Sequence, residues 1–333
     1  MTIARREMGS RLGTAGMALF AVLLFHPFAF SADNAEDRTV SVLYAGSLAG
    51  VMENGVGAAF RAATGFGYQG EAQGSLGAGR MIRDGLRQPD VFISADPLVN
   101  DNILMGPDNH NLVNWYVMMA SSQLVVAYNP KSQFAQKFEE VRAGKLKWYQ
   151  VLEMPGLRMG RGDPRIDPKG YRTLFMFSLA AEHYKRPEIA KLLGDPLNPD
   201  QVFPEIGLVA RLEAGQLDAG IFYMHEAVAH KMVFVKVAPE ESLGDSAFAA
   251  SYARQSYSTP KGEHVAGAPI VFTITIPKTV KHQEAARALV KFMLGSEKLL
   301  TDFGFGIVKH TVTGDAAQMP PEIRALTSGA TAR

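Results

Sequence analysis

The chain of 333 residues contains no cysteine. That absence excludes disulfides, thiolate nucleophiles, thiolate metal sites and iron–sulfur clusters. It also excludes a lipid anchor built on a cysteine behind a signal peptide. An excess of charge is lacking as well. Lys and Arg number 34 against 33 Asp and Glu, for a formal net charge of +1. Nothing in that balance points to nucleic acid or an anionic membrane as partner. Low-complexity runs and internal repeats are absent, and long apolar runs are confined to the N-terminus.

That one run reads as a signal peptide over residues 1–31. Arg5, Arg6 and Arg11 form a positive start, Gly13 to Phe30 an apolar stretch broken by Pro27, and Ala29-Phe30-Ser31 a cleavage site before Ala32. The stretch is short for a membrane anchor. Cleavage removes those three arginines and Glu7, leaves a formal charge of −1, and releases the protein outside the inner membrane, in the periplasm of a cell with an outer membrane.

Downstream, strand-like and helix-like segments alternate. Thr39 to Tyr44, Phe66 to Gln73 and Asp90 to Ser94 read as strands, separated by helix-like stretches over Val51–Ala63 and Ala78–Leu86. This order predicts a parallel α/β sheet. Apolar strands at Ser122–Tyr128, Gly220–Tyr223, Val233–Val237 and Ile270–Ile276 alternate with amphipathic segments at 134–143, 171–184, 204–214, 283–294 and 297–303. Residues 239–268 read as irregular surface. The pattern predicts two lobes with the chain crossing twice between them. Lobe 1 takes 39–120 plus 269–312, lobe 2 takes 121–268, and 313–333 forms a loose tail.

Four motifs can carry chemistry. Tyr44-Ala45-Gly46-Ser47-Leu48 and Gln73-Gly74-Ser75-Leu76-Gly77 are both Gly-Ser turns between a strand and a helix. There a serine hydroxyl and helix N–H groups can cap the helix or meet an anion. Neither is a P-loop or a dinucleotide fingerprint. On adjacent parallel strands, both fall at the sheet's carboxyl edge, where α/β proteins place ligands. The run Arg161 to Arg172 holds two Asp-Pro steps and dense positive charge, and Asp167 can cap the helix that follows or hold a ligand. Tyr223 ends a buried strand and can offer its hydroxyl to a cleft. His225, Glu226 and His230 only approximate a zinc motif, because Ala229 stands where the second histidine belongs. An exported serine hydrolase has Ser47 or Ser75 as candidate nucleophile, but neither lies in Gly-x-Ser-x-Gly.

In joint order these segments, with Asp90 to Asp96, Trp115-Tyr116-Val117, Asp167-Pro168-Lys169-Gly170-Tyr171-Arg172-Thr173 and Pro269 to Lys278, resemble the periplasmic molybdate/tungstate-binding proteins of ABC importers. The likeness runs from Val40 to Gly306. It implies the type II two-lobed fold, α/β in class, with mostly parallel sheets and the ligand between the lobes. It implies a binding protein without catalysis, without a cofactor and without a protein-held metal, working as a monomer with an inner-membrane permease and its ATPase. The resemblance makes Ser47 and Ser75 hydroxyl donors to the oxyanion, Lys169 a backbone N–H donor from the facing loop, and Tyr223 a hydroxyl donor. A second branch of the family adds two carboxylates to the anion's coordination shell. Asp167 matches one of these, and Phe222 stands at the other, so the likeness favours a four-coordinate anion held by hydrogen bonds. Sulfate, thiosulfate, phosphonate or a metal complex are the alternative ligands.

Overall fold

A computed structural model of the chain describes residues 38–327 and 330–331. The expected signal peptide lies outside the described residues. No helix among them is long and apolar enough to cross a membrane.

Among the described residues, fourteen strands form two main sheets and a hairpin. They are β1 (Thr39–Ala45), β2 (Gly67–Gln73), β3 (Val91–Ser94), β4 (Trp115–Ser121), β5 (Leu124–Tyr128), β6 (Met159–Gly162), β7 (Val202–Phe203), β8 (Ala219–Tyr223), β9 (Val233–Lys236), β10 (Ser256–Ser258), β11 (His264–Ala266), β12 (Val271–Thr275), β13 (Val312–Gly314) and β14 (Ala330–Thr331). The first sheet has the order β14-β13-β4-β12-β3-β1-β2, the second β7-β6-β8-β5-β9, and β10 pairs with β11. The helices that flank or bridge the sheets include α1 (Gly57–Thr64), α2 (Ser75–Arg83), α3 (Pro168–His183), α4 (Glu205–Glu213), α5 (Met224–Ala229) and α6 (Gln283–Leu294).

The expected parallel core is present, since β1 pairs in parallel with both β2 and β3. Each sheet is nevertheless mixed. In the first, β12 lies antiparallel between β3 and β4. In the second, β5 lies antiparallel between β8 and β9, while β6 pairs in parallel with β7 and β8. The cause is the chain path. The chain leaves the first sheet at the carboxyl end of β4, turns through Ser122 and Gln123, and enters the second as β5. It returns to the same edge of the first sheet as β12. An incoming strand that starts at a carboxyl edge must run against its neighbours.

The segment 239–268, expected as irregular surface, contains the β10–β11 hairpin and two short helices, Pro239–Ser242 and Ala249–Tyr252. The stretch after 312, expected as a loose tail, is docked instead. β13 pairs with β4, and the Met319 and Ile323 side chains are buried. Apolar residues at those two positions supply the anchorage that a tail of polar and small residues would lack.

Apolar burial explains the flanking helices. On α6, Ala285, Ala286, Leu289, Val290 and Met293 are buried at helical spacing, and the helix rests on β1 and β3. On α3, Tyr171, Phe175, Met176, Leu179 and Ala180 are buried in the same way, and that helix rests on β6 and β8.

Candidate functional site

The sheet registers bring the two Gly-Ser turns together. Tyr44 pairs with Ala72 and Ala45 with Gln73, so Gly46-Ser47 and Gly74-Ser75 leave the same edge side by side. Tyr44 also pairs with Ile93, which places Ala95-Asp96 beside them. The second sheet presents its own carboxyl edge. Gly162 ends β6, Phe203 ends β7 and Tyr223 ends β8. The loop to Asp167, the start of α4 at Glu205, and Tyr223 itself therefore converge.

The two edges meet. The Gly77 N–H donates to the Ile166 carbonyl at 3.2 Å. A Cβ on Gly74 would stand 2.5 Å from that carbonyl oxygen, and one on Gly46 would stand 2.4 Å from Glu205 Oε2. Both turns are thus pressed against the second sheet's loops, and at Gly74, where the neighbour is backbone, only glycine permits the approach.

Ser47 lies within a 3-10 turn, Gly46–Leu48, and makes no capping bond. It is 1% exposed, and its hydroxyl has no partner among the described residues. A buried hydroxyl left in that condition costs about 1–3 kcal/mol, so it marks a place where a polar ligand belongs. Ser75 opens α2, and its Oγ accepts from the Ala95 N–H at 3.0 Å. The serine's own proton is left to donate outward.

Asp167 is the N-cap of α3, with Pro168 in the first helical position. Its Oδ1 accepts from the Lys169 N–H at 2.8 Å, and its carbonyl accepts from the Gly170 N–H at 3.0 Å. The Lys169 amide, expected as a ligand donor, is therefore engaged. The sequence reading began this helix at Tyr171. It begins three residues earlier, and the earlier start turns the loop amides into cap donors.

Lys169 contributes its side chain instead. The ammonium is fully buried between Glu226, at 2.9 and 2.7 Å, and Glu205, at 3.0 Å. Burial works against its charge, but Glu205, Glu226 and Asp167 outweigh that and hold it firmly protonated. Burial raises the Glu226 carboxyl, Lys169 opposes the rise and Glu205 adds to it, leaving about 7. Burial and then the charge of Glu205 push Asp167 well above the usual carboxylate range.

Tyr223 is buried, and burial raises its phenol, so it stays protonated. Its oxygen accepts from Arg172 Nη1 at 2.9 Å. Arginine can only donate, so the tyrosine proton must point elsewhere. Arg172 is itself fixed across the interface, through Nη1 to the Ala95 carbonyl at 2.6 Å and Nη2 to Asp96 Oδ2 at 2.8 Å. Tyr171 donates to the same Asp96 oxygen at 2.5 Å, and Asp96 Oδ1 accepts from the Leu98 N–H at 2.9 Å.

Ser47, Ser75, Asp167 and Tyr223 are thus gathered at one interface, joined by the Lys169 ammonium. Sequence reasoning missed Arg172, Asp96, Glu205 and Glu226 as parts of it. A signal for Glu205 existed in Pro204-Glu205 at a helix start, but the two-residue strand before it is too short to read. The arrangement offers hydroxyl donors backed by a lysine, in a setting that excludes water, and it holds no nucleophile–base pair at either serine.

The comparisons with known proteins bear on the family and the fold. The model of the family described as bacterial extracellular solute-binding protein matches residues 40–306. A Haloferax volcanii protein, whose name as an ABC transporter molybdenum-binding protein is itself provisional, is 37% identical over 72% of this chain and 73% of its own. The Thermococcus kodakarensis molybdate/tungstate-binding protein WtpA is 28% identical over 85% and 88%. Among solved structures, the Azotobacter vinelandii periplasmic molybdate-binding protein aligns with a TM-score of 0.54 at 16% identity, covering 81% of this chain and 99% of its own. L-phospholactate-bound PEB3 aligns at 0.52 with 8% identity over 81% and 100%. Those two likenesses speak for the two-lobed fold alone. The match across 40–306 and the 37% relative go further: the chain belongs to the bacterial extracellular solute-binding protein family, whose members capture solutes and are not enzymes.

Proposed function

We propose that this protein is the periplasmic binding component of an ABC importer and that it captures molybdate or tungstate between its two sheets. The observation that carries the reading is the Ser47 hydroxyl, buried without a partner at the edge where Ser75 and Tyr223 also have protons to give. A tetrahedral oxyanion supplies the acceptors these three donors need. Charge-assisted bonds of this kind are worth about 1.5–3 kcal/mol each, and donors fixed by the fold lose little freedom on binding. The names of the relatives favour molybdate and tungstate over sulfate. The Lys169 ammonium stands at the centre of the nearby carboxylates, where a bound metal ion would otherwise sit.

In this reading lobe 1 comprises 39–120 with 269–312 and lobe 2 comprises 121–268. They close about the crossings at Ser121–Gln123 and Pro269–Ile270, and the closed shape is what the permease and its ATPase receive. A thermal-shift screen with tungstate, molybdate, sulfate and phosphate tests the ligand. The first two are expected to raise the melting temperature strongly, since ligand at a hundredfold its Kd adds about 2.7 kcal/mol. Calorimetry tests the site: Ser47→Ala and Ser75→Ala are each expected to weaken tungstate binding at least tenfold. Wild-type affinity in both variants would remove the assignment.

A further inference from the structure

The acids at this interface outnumber the cations. Asp96, Asp167, Glu205 and Glu226 face only Lys169 and Arg172, and all six are buried. Arg172 is matched by Asp96 at 2.8 Å. Lys169 is matched by both oxygens of Glu226. Glu205 then shares an ammonium already engaged, at 3.0 Å. Asp167 ion-pairs with neither cation. Its Oδ1 serves the helix cap, and its Oδ2 is buried without a partner among the described residues. No nearby histidine adds positive charge. Burial keeps His225 on α5 and His230 just after it below the ordinary imidazole range, with Lys169 opposing the protonation of both and Glu213 only partly offsetting this at His230. Asp163, on the loop before α3, is engaged by Arg165. Tyr223 at the end of β8 remains a neutral phenol. A doubly charged oxyanion beside the two serines would meet two poorly compensated carboxylates in a place where water does not screen them.

We propose that Asp167 meets the anion as a neutral acid, donating its Oδ2–H to an anion oxygen, and that Glu205 is the positioning residue whose charge keeps that proton on Asp167. This rests on the oxyanion reading above and deepens it. Above the titration of Asp167 the anion enters together with one proton drawn from solvent, below it Asp167 already carries that proton, and in both cases Asp167 is a fourth donor beside Ser47, Ser75 and Tyr223. Capture is therefore linked to pH. The shift of Asp167 runs in the required direction, with burial its largest cause and Glu205 the next. Its remaining neighbours divide: Lys169 opposes the shift and Glu226 adds to it.

The test is calorimetry of tungstate binding to the intact protein between about pH 6.5 and 9, where tungstate is the bare dianion, in buffers of different ionisation enthalpy. The wild type is expected to take up about one proton per anion above the titration of Asp167, with affinity falling about tenfold per pH unit there. Asp167→Asn keeps a good N-cap and a neutral donor, and is expected to abolish the uptake and flatten the profile whatever its affinity. Glu205→Gln is expected to move the onset of the fall to lower pH. A merely structural role for Glu205 would change affinity equally at every pH and leave the onset in place, which would overturn its part. Tungstate binding without proton uptake, or an Asp167→Asn profile as steep as the wild type's, would overturn the inference and leave the oxyanion reading standing. Failure of the wild type to bind tungstate or molybdate at any pH would overturn both.

Discussion

Gly74 has backbone angles, φ −58° and ψ 130°, that any residue can adopt. What demands glycine there is space, because the Ile166 carbonyl would lie 2.5 Å from a Cβ and belongs to backbone that cannot swing aside. Gly74→Ala is therefore expected to prop the Gly-Ser turn away from the loop before α3. Tungstate affinity should fall at least tenfold by calorimetry, while the ligand-free melting temperature stays within a few degrees of wild type. Gly46 differs, since its neighbour is the flexible end of Glu205. At this scale the sequence was informative where chemistry is local. A serine behind a glycine at a strand end, and an Asp-Pro before a helix, announce themselves by type and spacing. The partners that complete the site do not. Arg172 meets residues 51 to 77 positions away, and Lys169 meets Glu226 at 57. No local pattern records such pairings.

Among the elements, the β10–β11 hairpin is tied to α2. Arg80 holds Glu263 through Nε–Oε1 and Nη2–Oε2, each at 2.8 Å, and its Nη1 donates to the Arg165 carbonyl at 2.9 Å. This bidentate pair, nine-tenths shielded, bridges segments on opposite sides of the interface. Arg80→Ala is expected to speed tungstate release about tenfold in stopped-flow measurements and to change the association rate little, because it removes a tie between the two sides of the interface. Burial pushes the Glu263 carboxyl up, but bonds from Arg80 and Thr259 outweigh it and bring it down to about 2. A depressed carboxyl stabilises the fold above its unfolded value and loses that contribution only as pH falls through about 2. The tie is thus complete at neutral pH.

The elements themselves were unevenly legible. β1, β3, β5, β8 and β12 are buried, largely apolar runs, and the reading found them within a few residues; it also found β2, which is only partly buried. β4 escaped because Trp115–Ser121 carries two methionines, a residue type that favours helix over strand. The hairpin escaped because Ser256–Ser258 and His264–Ala266 are short and half-exposed. Their pairing depends on contacts with other parts of the chain more than on their own composition.

For the whole molecule, the buried acids set a pH dependence of stability. Asp167 and Glu226 both have folded values raised above the unfolded ones. The sign follows directly. The folded state binds these protons more tightly, so the stability they contribute is full below their unfolded values and is lost as pH rises through the folded ones, near 7 for Glu226. Buried His225 and His230, held below the ordinary imidazole range, act the other way as pH rises toward their unfolded value. The acids' share is therefore read by difference: between about pH 5 and pH 8 the melting temperature of ligand-free Glu226→Gln is expected to fall less, or rise more, than that of the wild type by differential scanning calorimetry.

The return of the chain as β12 has a consequence for the order in which the protein can be assembled. Every strand of the second sheet comes from one continuous stretch, residues 124–236, and can pair as soon as that stretch is available. The first sheet cannot. Its β3 and β4 are joined only through β12, whose residues follow the whole of the second sheet. The serine-bearing sheet therefore gains its central strand after the edge it will face can already exist, and the interface between the two sheets is completed last.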